Sequence, residues 1–195
     1  MKQRALEAGV HMKLSPVFRR SAATVIAVVL AGSAFAQDSD SAALDVDSDA
    51  LIAAGADDSQ WLTYGRDYAE TRFSPLSQIN DRNVGRLGQA WYYDTKTVRV
   101  LEATPLIADG VMYGTTSWSN VFAVDARTGE ELWYWDSQAD RARGSKACCD
   151  VANRGAALYE GKVFVGVIDG RLVALDAATG EPVWDVQTTP VDLPY

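Results

Sequence analysis

Histidine is almost missing from this chain: His11 is the single one in 195 residues. Because His11 also falls in the stretch read below as a removable leader, the rest of the chain can build neither a histidine-based catalytic triad nor a histidine-bearing zinc site. Cations are scarce too. Lys and Arg number 18 against 26 Asp and Glu, for a net charge of −8. That balance argues against nucleic acid and anionic membrane as partners, since both require a cationic face. The apolar run Ala22 to Leu30 is far short of the roughly 20 residues a membrane-spanning helix needs. There is no glycine-rich phosphate loop, because Val165-Gly166-Val167-Ile168-Asp169-Gly170 sits between strand-like runs and not ahead of a helix. Cysteine occurs only twice, as the adjacent pair Cys148-Cys149.

What is present begins with an export signal. Lys13, Arg19 and Arg20 precede the apolar run, and Gly32-Ser33-Ala34-Phe35-Ala36 follows it, which predicts a signal peptide over residues 1–36 cleaved after Ala36. Met12-Lys13 opens a more ordinary signal peptide than Met1 does. Leu30-Ala31-Gly32-Ser33 has Ser where a lipidated Cys would stand, so a soluble periplasmic protein is expected, without a lipid anchor. Residues 1–36 carry five of the basic and one of the acidic residues, so their removal takes the charge to −12. Residues 37–60, rich in Asp, Ser and Ala, read as a flexible leader. From Trp61 the texture turns aromatic. A short capped helix is expected after Asn80 or Asp81, closed by Gly88, and Ala90-Trp91-Tyr92-Tyr93-Asp94 reads as a strand.

The strongest regularity is an internal repeat. Ala123-x-Asp125-x-x-Thr128-Gly129-x-x-x-Trp133 returns as Ala174-x-Asp176-x-x-Thr179-Gly180-x-x-x-Trp184, and the register holds upstream without gaps. Each unit contains four strand-like runs, at 103–108, 111–116, 121–125 and 130–135, then at 154–159, 162–167, 171–175 and 182–187. Four strands per repeat is the unit of a β-propeller, so the fold class is all-β, with two blades at about 102–135 and 153–187. The aspartates can accept hydrogen bonds from the turn that follows, the glycines can take positive φ, and the tryptophans are large enough to pack on a neighbouring blade.

A blade takes about 40 to 45 residues, so the longer spacing here carries an inserted loop over 136–152. That insertion holds Cys148 and Cys149. Adjacent cysteines can join only through a strained eight-membered ring, because the usual disulfide spans more than one peptide unit. Two separate thiols are the other reading, and export permits either. In register, Asn153 corresponds to Glu102 and Arg154 to Ala103, which places Glu102 and Arg154 at the same end of adjacent inner strands, facing one mouth of the propeller channel.

Taken together, Trp61-Leu62-Thr63-Tyr64-Gly65-Arg66, Arg72-Phe73-Ser74-Pro75-Leu76, Glu102-Ala103-Thr104-Pro105-Leu106, Cys148-Cys149-Asp150 with Asn153-Arg154-Gly155, and the two Trp motifs resemble the pyrroloquinoline quinone (PQQ)-dependent alcohol dehydrogenases. The resemblance runs from about residue 57 onward and implies an eight-bladed propeller. It implies that Cys148 and Cys149 form a vicinal disulfide packed on one face of the quinone, and that Glu102 and Arg154 bind the quinone's polar edge. It further implies oxidation of a primary alcohol to an aldehyde. In the reaction that the resemblance implies, a Ca²⁺ or similar ion would polarise the quinone carbonyl, an aspartate would take the alcohol proton, and hydride would pass to PQQ. The resemblance likewise implies a periplasmic cytochrome c or another acceptor that would remove the electrons. The catalytic aspartate and the metal ligands of the family are expected beyond residue 195, as is any haem c domain, so the chain reads as the N-terminal part of a longer enzyme.

One alternative belongs to a different class. Propellers with similar repeats serve as non-enzymatic scaffolds in outer-membrane protein assembly, but those would lack the Cys-Cys pair and the glutamate ahead of the first inner strand. For the dehydrogenase reading, mass spectrometry of the exported protein under non-reducing conditions should find the peptide spanning Cys148 and Cys149 two hydrogen atoms lighter than its reduced form. Full alkylation of both thiols without reductant would contradict it.

Overall fold

In a computed structural model, residues 46–190 are described. The signal peptide expected over 1–36 and the first part of the expected leader lie outside the described residues. Eight strands form two antiparallel sheets: β1 (Leu106–Ala108), β2 (Val111–Thr115), β3 (Val121–Asp125) and β4 (Glu131–Trp135), then, after the separate strand β5 (Cys148–Val151), β6 (Ala157–Tyr159), β7 (Lys162–Gly166), β8 (Arg171–Asp176) and β9 (Pro182–Gln187), each sheet in simple sequence order. The expected strands are found at both repeats, and the two sheets are a pair of propeller blades. Both bulge at the same repeat position, between Ala123 and Val124 and between Ala174 and Leu175. Among the described residues no helix is long and apolar enough to cross a membrane.

The turn after the third strand works as its sequence suggests. Asp125 accepts from the backbone N–H of Arg127 and Thr128, both at 2.8 Å, and Asp176 does the same for Ala178 and Thr179 at 3.0 and 2.9 Å. The glycines that follow take φ of +75° at Gly129 and +73° at Gly180, a left-handed conformation that costs an L-residue with a side chain.

Those glycines have a second duty, which is to let a tryptophan lie flat on the turn. A Cβ built on Gly180 would stand 2.6 Å from Trp133 Cδ2, and one on Gly129 would stand 2.5 Å from Trp91 Cε3. Trp133, 8% exposed, donates its indole N–H to the Ala177 carbonyl at 3.0 Å, and the Tyr113 hydroxyl donates to the same oxygen at 3.2 Å. Blade one therefore grips blade two through a tryptophan seated on a glycine turn, with the Tyr113 hydroxyl beside it, above a shared core of Leu106, Val121, Ala123, Val163, Val173 and Leu175.

Three elements depart from expectation. Ala90–Asp94 forms no strand ladder among the described residues, although burial alternates along it from Trp91 and Trp91 covers Gly129 as Trp133 covers Gly180. The helix expected after Asn80 is only a 3₁₀ turn at Val84–Arg86, because Asn80 and Asn83 spend their side chains on local backbone groups in a turn. Residues 48–53 of the expected flexible leader form helix α1 (Ser48–Ala53), capped by Asp47. Val46 and Ala54 on either side of it are buried in the core, and the Val46 carbonyl accepts from Glu160 N–H at 3.0 Å. The acidic composition of this stretch conceals a good N-cap and a few well-placed apolar residues.

Two outcomes are expected. Trp133→Ala should lower unfolding free energy by about 3 kcal/mol. Gly180→Ala should lower it by roughly 1–3 kcal/mol, through steric strain and left-handed backbone together. Denaturant titration reads both, and wild-type stability in Gly180→Ala would contradict the seat. The second outcome concerns acid. Hydrogen bonds from the Thr128 and Arg127 backbone hold the Asp125 carboxyl below the ordinary aspartate range. Its contribution is therefore complete above the unfolded-chain pKa of about 4 and is lost as pH falls through the lower folded value. Asp125→Asn should flatten the acid limb of a stability–pH curve below about pH 4. An unchanged limb would show that other carboxylates govern it.

Candidate functional site

The segments just ahead of the inner strands β1 and β6 run side by side, and charged residues tie them together twice. Glu102 and Arg154 form an ion pair at 3.1 Å, with the arginine side chain 71% and the glutamate 33% exposed. Arg99 pairs with Asp150. The polarity reverses between the two ties, acid to base and then base to acid, so each segment carries both signs.

Local backbone positions these groups. Asn153 accepts from Gly155 N–H at 2.9 Å and donates its amide to the Gly166 carbonyl at 2.9 Å, pinning the bend at Arg154 to the end of β7. Gly155 has φ of +128°, a conformation essentially reserved for glycine. Asp150 is left-handed at φ +60°, which aspartate tolerates better than most residues. The insertion folds as a 3₁₀ turn, Arg141–Lys146, followed by strand β5 (Cys148–Val151). Cys149 is exposed, directly ahead of Asp150.

Sequence reasoning expected Glu102 and Arg154 at the same end of adjacent inner strands, and the two side chains meet as an ion pair just ahead of β1 and β6. It assigned no role to Tyr64, Arg72, Thr104 or Arg99. The Arg72 guanidinium sits over the Tyr64 ring, 4.4 Å from its centroid. Arg72, with Thr104 and then Arg154 adding to it, holds the Tyr64 phenol below its usual range. This links the aromatic motif at 61–66 to the Glu102–Arg154 pair. The same segment joins the inner edge of β1, where Trp61 and Ile107 exchange both backbone hydrogen bonds, at 2.8 and 2.9 Å. A sequence signal existed, since Tyr64, Arg72 and Thr104 all lie inside the motifs quoted above, but nothing in the spacing says that they converge.

Residues 61–191 match the family model described as the β-propeller domain of PQQ-dependent glucose, ethanol and alcohol dehydrogenases. The chain belongs to that family. It is 55% identical over 143 residues to a quinohemoprotein alcohol dehydrogenase of Comamonas testosteroni, an alignment covering 73% of this chain and 20% of the relative. To the 1-butanol dehydrogenase (cytochrome c) of Thauera butanivorans it is 54% identical over 129 residues, covering 66% and 19%. Among solved structures, the quinohemoprotein alcohol dehydrogenase ADHIIG of Pseudomonas putida superposes with a TM-score of 0.72 at 52% identity, covering 74% of this chain and 21% of that one. The chain thus spans about a fifth of the length of the curated relatives it matches. Membership in a dehydrogenase family decides against the scaffold alternative.

Proposed function

We propose that this chain is the quinone-holding N-terminal part of a periplasmic PQQ-dependent alcohol dehydrogenase, which oxidises a primary alcohol to an aldehyde and passes the electrons to a cytochrome c or similar acceptor. The observation that carries the reading is the Glu102–Arg154 pair at the open inner ends of adjacent blades, beside the Cys148-Cys149 segment. An ion pair this exposed contributes only about 0–1 kcal/mol to folding. Its placement makes better sense as a binding edge.

The donor set fits a flat, polycarboxylated quinone. Arg154, 71% exposed, has guanidinium N–H groups to spare beyond its bond to Glu102, and arginine suits planar carboxylate recognition. Glu102 holds that guanidinium in place and can accept a ring N–H. A Cys148–Cys149 disulfide, if the exported protein carries it, gives a rigid apolar surface for one face of the ring and keeps water from it. When bound, the quinone supplies the two-electron acceptor for alcohol oxidation. Among the described residues no three Asp, Glu, His or Cys side chains gather as a metal site. Calcium or another ion is expected to take its six to eight oxygen ligands, and the reaction its aspartate base, from residues beyond 195. Any haem c domain would lie there too, and export rests on the leader over 1–36.

The test is quinone titration of the intact, metal-loaded apoenzyme, followed by fluorescence or absorbance. Arg154→Gln and Glu102→Gln should each weaken binding about 10- to 100-fold, as expected for loss of a charge-assisted hydrogen bond, with the 195-residue chain alone as an inactive control. Wild-type affinity in both variants would overturn the assignment of this edge.

A further inference from the structure

The turn that joins β2 to β3 is built in a costly way. Trp118 and Ser119 both have left-handed backbone, at φ +68° and +62°, and a bulky residue there is a genuine outlier. The repeat itself shows that the cost is avoidable. One blade on, Val167 to Arg171 closes the corresponding turn with the same backbone bonds but a single left-handed residue: Val167 N–H to the Arg171 carbonyl and Gly170 N–H to the Val167 carbonyl, matching Thr116 to Asn120 and Ser119 to Thr116. There the left-handed position equivalent to Ser119 is Gly170, at φ +90°, and Asp169 stands in register with Trp118.

The strained turn is held from every side. Ser117, 1% exposed, donates its hydroxyl to the Val100 carbonyl. The Trp118 carbonyl accepts from Ser137 Oγ at 2.5 Å, and Ser119 Oγ accepts from Ile168 N–H at 3.1 Å. So fixed, the indole is wedged under the insertion. A Cβ on Gly144 would stand 2.6 Å from Trp118 Cη2 and 3.0 Å from Val151 Cγ1. Arg141 lies 4.3 Å and Arg99 5.8 Å from the ring centroid. Arg99 in turn pairs with Asp150, the residue after Cys149.

We infer that Trp118 and Arg99 are positioning residues for the cysteine pair, a wedge and a tether that hold Cys148–Val151 at one height relative to the Glu102–Arg154 edge. Arg99 and Asp150 are repeat equivalents on adjacent inner segments, so the tether measures the step from blade to blade. The inference rests on the quinone reading above.

Its test uses the intact apoenzyme with two readouts: quinone affinity, and amide hydrogen exchange across Cys149 to Val151. Trp118→Gly suits the left-handed backbone and removes only the indole. Arg99→Gln removes the tether, and Arg99→Lys keeps the charge. Trp118→Gly and Arg99→Gln should each weaken quinone binding roughly tenfold and speed exchange across the segment by a similar factor. Arg99→Lys should recover most of both, and Asp150→Asn should add little to Arg99→Gln. Leu175→Ala, a control in the core on β8, should lower thermal stability with quinone affinity unchanged. If wild type binds quinone and the two variants bind it equally well, the inference falls. It also falls if affinity merely tracks melting temperature across all variants, the control included. A wild type that binds no quinone overturns the reading beneath it, and the exchange readout then still decides whether wedge and tether hold the segment.

Discussion

Everything in this structure depends on a tryptophan lying flat on a glycine turn of the next blade. A four-stranded antiparallel sheet with two apolar faces cannot satisfy both alone, and the Trp133 seat on Gly180 closes one of them with a ring contact and one indole hydrogen bond to Ala177. Burial in β3 is nearly continuous from Val121 to Val124 because blade one is covered on both sides, by blade two and by Trp91 and Tyr93. In β9 most residues are exposed, and Trp184, the repeat counterpart of Trp133, is only half-buried. The same contact fixes how far one inner strand stands from the next, and so how close the groups at their ends can come.

That spacing is what the site uses. Glu102 and Arg154 belong to different blades and are 52 positions apart in sequence, yet they meet at 3.1 Å. Arg99 and Asp150 meet across the same step. Neither pair is buried deeply enough to matter much for folding, since exposed pairs contribute about 0–1 kcal/mol. By contrast, Arg171 between Asp169 and Asp185, with its third contact to the Ser137 carbonyl, ties blade two to the start of the insertion and is a fastening of the scaffold. The division of labour is visible in exposure: Arg171 is 21% exposed, Arg154 71%.

Much of this was legible in the sequence because the repeat is ungapped. The Asp-x-x-Thr-Gly turn and the tryptophan four residues later carry their structural reason in the side chains themselves, and the offset alone put Glu102 beside Arg154. What the sequence concealed falls into two kinds. Short elements were masked by composition, as in α1, where Asp47 caps a helix inside an acidic stretch, and at 80–88, where asparagines close a turn and not a helix. Convergence was hidden by distance along the chain: Tyr64, with Arg72 over its ring, comes to Thr104 and Arg154 because Trp61 joins the inner edge of β1. No local pattern announces the left-handed Trp118 either, since its constraint comes from Val100, Ser137 and Ile168, all distant in sequence.

The central claim is that the ends of these two inner strands form one wall of a quinone site. A crystal structure of the intact protein with PQQ tests it most directly. The account predicts the quinone plane stacked against Cys148 and Cys149, with Arg154 and Glu102 side-chain atoms within about 3.2 Å of its polar edge. Density for the quinone elsewhere in the channel, with both side chains turned away from it, would contradict the account.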